Sequence, residues 1–165
     1  MSEVVTIERL AAGGDGVGRL ADGRTVFVPR TAPGDRVRLT DLRLHKRFAR
    51  AAVGEVLEPG PGRVEPRCRH YLRDRCGGCQ LQHLDEPVQR EARRRIVGDA
   101  LRRLGKLDVE DPPLEPAPEP WGYRSRVTLA TSGEATPRIG FHRQDRPGQV
   151  FDLVHCEIAA PELMA

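Results

Sequence analysis

Four cysteines are the residues of this chain best suited to chemistry, and they are unevenly spaced. Cys68 is followed after seven residues by Cys76, then Gly77-Gly78 and Cys79, with Cys156 far downstream. Four soft donors in a three-plus-one arrangement meet the needs of an iron–sulfur cubane or a tetrahedral zinc ion. The two glycines let the loop turn tightly enough for Cys76 and Cys79 to reach two corners of one core, and leave amides free to bond sulfide. This spacing favours a 4Fe-4S cluster held by Cys68, Cys76, Cys79 and Cys156. Zinc stays open as the alternative, because structural zinc more often uses two C-x-x-C knuckles but also accepts one with two solitary cysteines. A redox role for Cys76-Gly77-Gly78-Cys79 calls for a strand before and a helix immediately after in a thioredoxin-like unit, which the sequence lacks. Unligated thiols are the remaining reading.

The elements that must position these cysteines are short. With 165 residues the chain is one ordinary domain or two small ones, too small for a large catalytic fold with its own cofactor domain. Residues 1–60 read as strands joined by glycine turns: Val4 to Leu10, Val17 to Leu20, Thr25 to Pro29, Arg36 to Thr40 with Asp41 to Arg47 as an extension, and Ala51 to Leu57. Five strands in so short a stretch predict a small closed barrel of the OB type, with an SH3-like barrel as rival, since closure removes exposed sheet edges. Gly16-Val17-Gly18-Arg19-Leu20-Ala21 formally fits a dinucleotide fingerprint but is followed by a turn and a strand, not by the helix that must present its amides to a pyrophosphate. It reads as turn glycine.

Residues 66–107 carry the cysteine loop and a helix. Asp85-Glu86-Pro87 is a helix start, Val88, Ala92, Ile96, Ala100 and Leu104 form an apolar stripe widened by Val97 and Leu101, and Gly105 ends the helix. Arginines occupy much of the remaining surface and read as a solvated face, Arg90 and Arg94 pairing with Glu86 and other local carboxylates. Residues 108–120 are a proline-rich, stiff spacer. Residues 121–165 then suggest an antiparallel sheet from strands at Arg124 to Ala130, Ile139 to Arg143 and Val150 to Val154, with a helix beginning near Pro161. The expected fold is mainly β with one helix: an OB-type barrel, a cysteine-rich loop, the helix and a small antiparallel sheet.

These motifs together resemble the RNA uracil-C5 methyltransferases that join an N-terminal TRAM domain to an iron–sulfur subdomain and a C-terminal Rossmann-like methyltransferase domain. Val5 to Val37, with Gly13-Gly14-Asp15-Gly16-Val17-Gly18, Val26-Phe27-Val28-Pro29 and Pro33-Gly34-Asp35-Arg36-Val37, is similar to TRAM. Cys68 through Cys76-Gly77-Gly78-Cys79-Gln80-Leu81-Gln82-His83 resembles the family's cluster loop, with seven residues between the first two cysteines where the family usually has five. Tyr123-Arg124-Ser125-Arg126 and Gly140-Phe141-His142-Arg143 through Cys156 resemble its central sheet and fourth ligand. In that family a thiolate adds to uracil C6, C5 attacks the methyl group of S-adenosylmethionine, and a base removes the C5 proton. The resemblance implies that nucleophile, base and cofactor loop belong to sequence beyond residue 165. It therefore assigns no catalytic or cofactor-binding residue here, and Cys156 takes the ligand slot instead of the nucleophile's. S-adenosylmethionine enters only through the missing catalytic domain, and a separate methyltransferase domain is an expected partner.

RNA, ribosomal or transfer, is the other expected partner. The 27 cations include only two lysines, Lys46 and Lys106, and arginine supplies a planar fork suited to phosphates and base edges. Lys46, Arg47, Phe48 and Arg50 set three cations around one ring near a barrel edge, either for stacking and phosphate contact or as a solvated loop with Phe48 tucked inward. Arg124 and Arg126, two apart in an expected strand, share a face and can meet one RNA backbone. His70, His83, His142 and His155 read as histidines near the cysteine site or at the surface. No apolar run is long enough to span a membrane and the start has no secretory pattern, so a cytoplasmic location without membrane contact is expected. The leading expectation is the RNA-recognition and iron–sulfur portion of such a methyltransferase, unable to catalyse alone. The alternative is a freestanding, non-catalytic TRAM RNA-binding protein with a four-cysteine metal site. A radical S-adenosylmethionine enzyme is disfavoured, because that chemistry leaves one iron open and a fourth thiolate closes it.

Overall fold

The computed structural model describes residues 3–165. They form two compact units, one made of the chain up to Glu65 together with His83–Leu114, the other of Pro66–Gln82 with Glu115–Ala165. The segment 66–107 is thus shared, its cysteine loop in the second unit and its helix in the first.

In the first unit, β1 (Val4–Thr6), β2 (Arg9–Leu10), β3 (Gly16–Arg19), β4 (Thr25–Val28), β5 (Arg36–Leu44) and β6 (Phe48–Glu58) form one sheet in the order β1-β5-β6-β4-β3-β2. The sheet closes on itself because β1 and β2 are two halves of one bent strand. The first half pairs with β5 and the second with β3, while Ile7 N–H donates to Asp35 O and Glu8 N–H to Val17 O across the bend. Counted that way there are five strands, antiparallel throughout except for the parallel pair β4 and β6. This is OB-type connectivity, which separates the fold from the SH3-like rival.

Alternation along these strands builds the core: Val5, Ile7, Leu20, Val26, Val28, Val37, Leu39, Ala49 and Ala51 point inward. Each buried Val, Leu or Ile contributes about 1.5–3 kcal/mol. Strands β5 and β6 are long because each must serve two neighbours, and register shifts at Arg36/Val37, Arg38/Leu39 and Thr40/Arg43, with Asp41 at φ 50°, curl them around the barrel. Gly16 lies where the barrel wall is tightest. A Cβ there would stand 1.9 Å from Thr31 Oγ1, so the fingerprint-like glycine is a packing glycine inside a strand.

A buried polar knot joins the barrel to the chain that leaves it. The Asp35 carboxylate, fully buried, accepts from the amides of Ala32 at 2.7 Å and Gly60 at 2.8 Å and from the Arg63 guanidinium at 2.5 Å and 3.0 Å. Arg63 also donates to Arg30 O, and buried His83 places Nε2 3.0 Å from Thr31 O. Helix α2 (Glu86–Arg103) follows, capped by Asp85, whose side chain accepts from Val88 N–H, with Pro87 in the first turn. Its stripe is only partly covered: Ala92 is buried, Val88 and Ile96 are half-buried, while Val97 and Leu104 are exposed.

In the second unit, α1 (Arg69–Arg73) precedes a three-stranded antiparallel sheet of β7 (Ala130–Thr131), β8 (Ile139–His142) and β9 (Val150–Asp152), and a 3-10 turn spans Pro161–Leu163. The strand expected at Arg124 to Ala130 is corrected. Only Ala130–Thr131 pairs with β8, and Arg124 instead makes a single parallel bridge to Ala159. The chain there follows the Gly122–Arg124 hydrogen bonds to Glu157 and Ile158, which compete with a β7 extension.

Candidate functional site

All four cysteines belong to the second unit and line one small cavity of about 50 Å³. None is in a disulfide. Cys68 and Cys76 are buried, Cys79 and Cys156 half-buried. Tyr71, Phe141, Leu153 and Ile158 contribute an apolar wall.

Local hydrogen bonds explain how residues so far apart in sequence converge. Cys68 stands at the N-cap position of α1 without a side-chain cap, Tyr71 N–H donates to Cys68 O, and the Tyr71 hydroxyl donates to Gln80 O at 3.1 Å, folding the loop back across the helix. The seven residues between Cys68 and Cys76 are taken up by this helical turn, with Arg75 at φ 50° reversing the chain. Sequence reasoning missed α1 because five residues of mixed character carry no readable period. Beyond it, Cys76 N–H donates to His70 O, Gly77 N–H to His142 O, and Gln144 N–H to Arg75 O, which pins the loop to the end of β8. Gln82 Oε1 accepts from Cys68 N–H at 3.3 Å.

The fourth cysteine is held from the other side. Ala159 N–H donates to Cys156 O, and the segment that follows is clamped by Arg124 N–H to Ile158 O at 2.8 Å and Ala160 N–H to Arg124 O at 2.8 Å. His70 bridges the two halves: its Nδ1 lies 2.7 Å from Asp74 Oδ2, and its Nε2 accepts from Val154 N–H at 3.2 Å. Those partners fix the proton on Nδ1. His70 is buried beside the cavity, and His155 also lines it, whereas His83 belongs to the barrel unit and His142 is exposed.

Burial pushes the Cys76 thiol up to about 11, reinforced by repulsion from Cys79, Cys68 and Cys156 and opposed by the Gly78 amide, 3.4 Å from its sulfur. Cys79 is raised by burial and by Cys156 and Cys68, with Gln82 and Arg124 acting in the opposite direction. The repulsion felt by Cys76 and Cys79 is the electrostatic mark of how near the other cysteines lie. Among the described residues no group of three or more His, Cys, Asp or Glu side chains is arranged to hold a metal ion.

The expected RNA-contact residues fall into two sets. Arg124 lines the cysteine cavity and is exposed, as is Arg126, but the shared-face argument fails because residues 126–129 form no strand. In the barrel unit, Lys46, Arg47 and Arg50 are exposed and Phe48 is half-buried. Phe48 stacks on His45 with centroids 4.4 Å apart and meets the Phe27 ring edge-on at 5.9 Å. Arg50 lies over the Phe27 ring at 5.8 Å and 3.3 Å from Asp15 Oδ2. Phe48 is therefore neither fully tucked inward nor free.

Residues 4–61 match the TRAM-domain family model of tRNA (uracil(54)-C(5))-methyltransferase. A 23S rRNA (uracil(1939)-C(5))-methyltransferase of Chromohalobacter salexigens is 41% identical over 161 residues, which cover 96% of this chain and 33% of that protein. An uncharacterized RNA methyltransferase of Gloeobacter violaceus is 40% identical over 146 residues, 86% of this chain and 31% of its own length. Among solved structures, the Pyrococcus abyssi tRNA (uracil-54, C5)-methyltransferase in complex with S-adenosyl-L-homocysteine superimposes with a TM-score of 0.62 at 25% identity, over 97% of this chain and 34% of that one. The chain spans about a third of the length of these relatives. It is homologous to RNA methyltransferases, and its residues 4–61 are a TRAM domain.

Proposed function

We propose that this chain is the RNA-recognition and iron–sulfur portion of an RNA (uracil-C5)-methyltransferase acting on ribosomal or transfer RNA in the cytoplasm. Methyl transfer from S-adenosylmethionine belongs to the rest of such a protein, so these residues bind and position RNA without catalysing alone. The observation that carries the reading is the gathering of Cys68, Cys76, Cys79 and Cys156 around one cavity beside Arg124, in a chain whose other unit is a TRAM barrel.

The donor set suits a 4Fe-4S cluster. It offers four sulfur donors around one cavity with an apolar wall, and a C-x-x-C with two solitary cysteines is less usual for structural zinc than two C-x-x-C knuckles. A cluster supplies a rigid inorganic brace when bound. Around it Cys68, Cys76 and Cys79 tie the loop, Cys156 ties the far end of the small sheet, and His70 and Gln82 orient the loop's backbone. With that frame fixed, Arg124 and Arg126 are held for phosphate contacts, and Lys46, Arg47, Phe48 and Arg50 act from the barrel.

The test is RNA binding at increasing salt, followed by S-adenosylmethionine-dependent methylation with the catalytic region of a relative supplied separately. Affinity should fall log-linearly by roughly 0.7 per single-strand phosphate contact, and the added chain should restore methylation. Flat binding would overturn the RNA reading. Binding without restored methylation would favour a freestanding RNA-binding protein.

A further inference from the structure

The barrel unit contains a second concavity, of about 480 Å³, between the outer face of the barrel and the last turns of α2. From the barrel come Leu10, Thr25, Phe27 and Phe48, and from the helix Ile96 and Leu104. Its rim carries Arg9, Arg47 and Arg103, all exposed, and among the described residues none of the three has a carboxylate partner. The one acid in the lining, Asp99, is neutralised by Arg102 at 3.1 Å. The groove is thus apolar within and uncompensated positive at its edge.

We propose that this groove is a binding site for a base and its flanking phosphates in a single-stranded RNA segment. The inference rests on the RNA reading above and gives it a location separate from the cysteine unit. The size falls in the range of small-ligand sites, roughly 300–1,000 Å³. Single-stranded nucleic acid is gripped by aromatic faces for the bases and cations for the backbone. Here two rings stand nearly perpendicular, at 77°, and each is steadied by a planar neighbour, Phe48 by His45 and Phe27 by Arg50. Rings held in place beforehand lose little freedom on binding. The positive rim selects an anionic ligand over an apolar peptide, and the exposed Leu104, 84% accessible at the end of α2, lies where a base edge would cover it.

A fluorescently labelled oligouridine, titrated into the 165-residue chain, reads the site by anisotropy. Paired charge reversals Arg47→Glu and Arg103→Glu should weaken binding roughly tenfold or more, the order of a lost base contact. Arg90→Glu with Arg95→Glu makes the same change in net charge on other faces of α2 and should cost about twofold, as scattered surface charge does. Leu104→Glu, at an exposed position that should not disturb folding, should also weaken binding. In a probe carrying one 2-aminopurine, quenching on binding should be lost in Phe48→Leu, with circular dichroism confirming the fold. Equal losses in the two charge pairs, or unchanged binding in Leu104→Glu, would overturn the groove and leave RNA recognition intact. A wild-type chain that does not bind the probe would overturn both.

Discussion

Replacing Arg63 by methionine isolates the polar knot on which the barrel's exit depends. Asp35 is fully buried, and its charge is held by the amides of Ala32 and Gly60 and by Arg63. Burial by itself would raise its pKa, but the Arg63 and backbone hydrogen bonds outweigh burial and leave the carboxyl below its ordinary value. Methionine keeps the apolar stem and removes only the partner. A buried charge without its counter-ion costs about 3–5 kcal/mol, and Arg63 is itself only 20% exposed at the side chain, so little of this is relieved by solvent. At about 2 kcal/mol per molar urea, the midpoint should fall by roughly 2 M. In the wild type, the Asp35 contribution is present above its unfolded pKa and is lost as pH falls toward the lower folded value. In Arg63→Met burial dominates, the folded pKa rises above the unfolded one, and the loss should shrink as the solution is acidified. Urea unfolding followed by circular dichroism across pH checks both. Arg36→Met is the control, since its pair with Glu58 is exposed at both ends and surface pairs contribute about 0–1 kcal/mol. Equal midpoints for Arg63→Met and Arg36→Met would refute the reasoning.

Other outcomes follow from the same geometry. His83 is buried against Thr31 O and its pKa is lowered chiefly by burial; its stabilisation should be complete above about pH 6.5 and fade as pH falls through the lower folded value, a slope that His83→Gln removes in urea titrations. Gly16→Ala drives a methyl into Thr31 and should lower stability by about 1–3 kcal/mol in thermal unfolding. Arg124→Ala with Arg126→Ala should weaken RNA binding and reduce the salt slope by roughly 1.4 without changing iron content; an unchanged slope removes both from the RNA surface.

Much of the barrel was legible because its signals are local. Alternating apolar residues and glycine turns mark Val17 to Leu20 and Thr25 to Pro29 within a residue or two, and Asp85-Glu86-Pro87 marks the start of α2 through a cap that needs no tertiary partner. The convergence of the four cysteines could be anticipated from ligand chemistry, and the three-stranded sheet from its turns. What failed was non-local. Residues 124–129 read as a strand, yet Arg124 bonds to Ile158 and Ala160 and only Ala130–Thr131 pairs with β8. The stripe on α2 was complete in sequence but half-covered in space, because how far a helix face is buried depends on what lies beside it. That uncovered end is also why the helix side of the groove beside Phe48 had no signature, although Arg47 and Phe48 stood out in the sequence.

The most direct test of the account is the inorganic content of the anaerobically purified chain, with Cys156→Ser alongside. Iron and acid-labile sulfide should be present in equal amounts, about four of each per chain as a cubane requires, and should be lost in Cys156→Ser. One zinc per chain with no sulfide, or a full complement of iron and sulfide retained in Cys156→Ser, would contradict it.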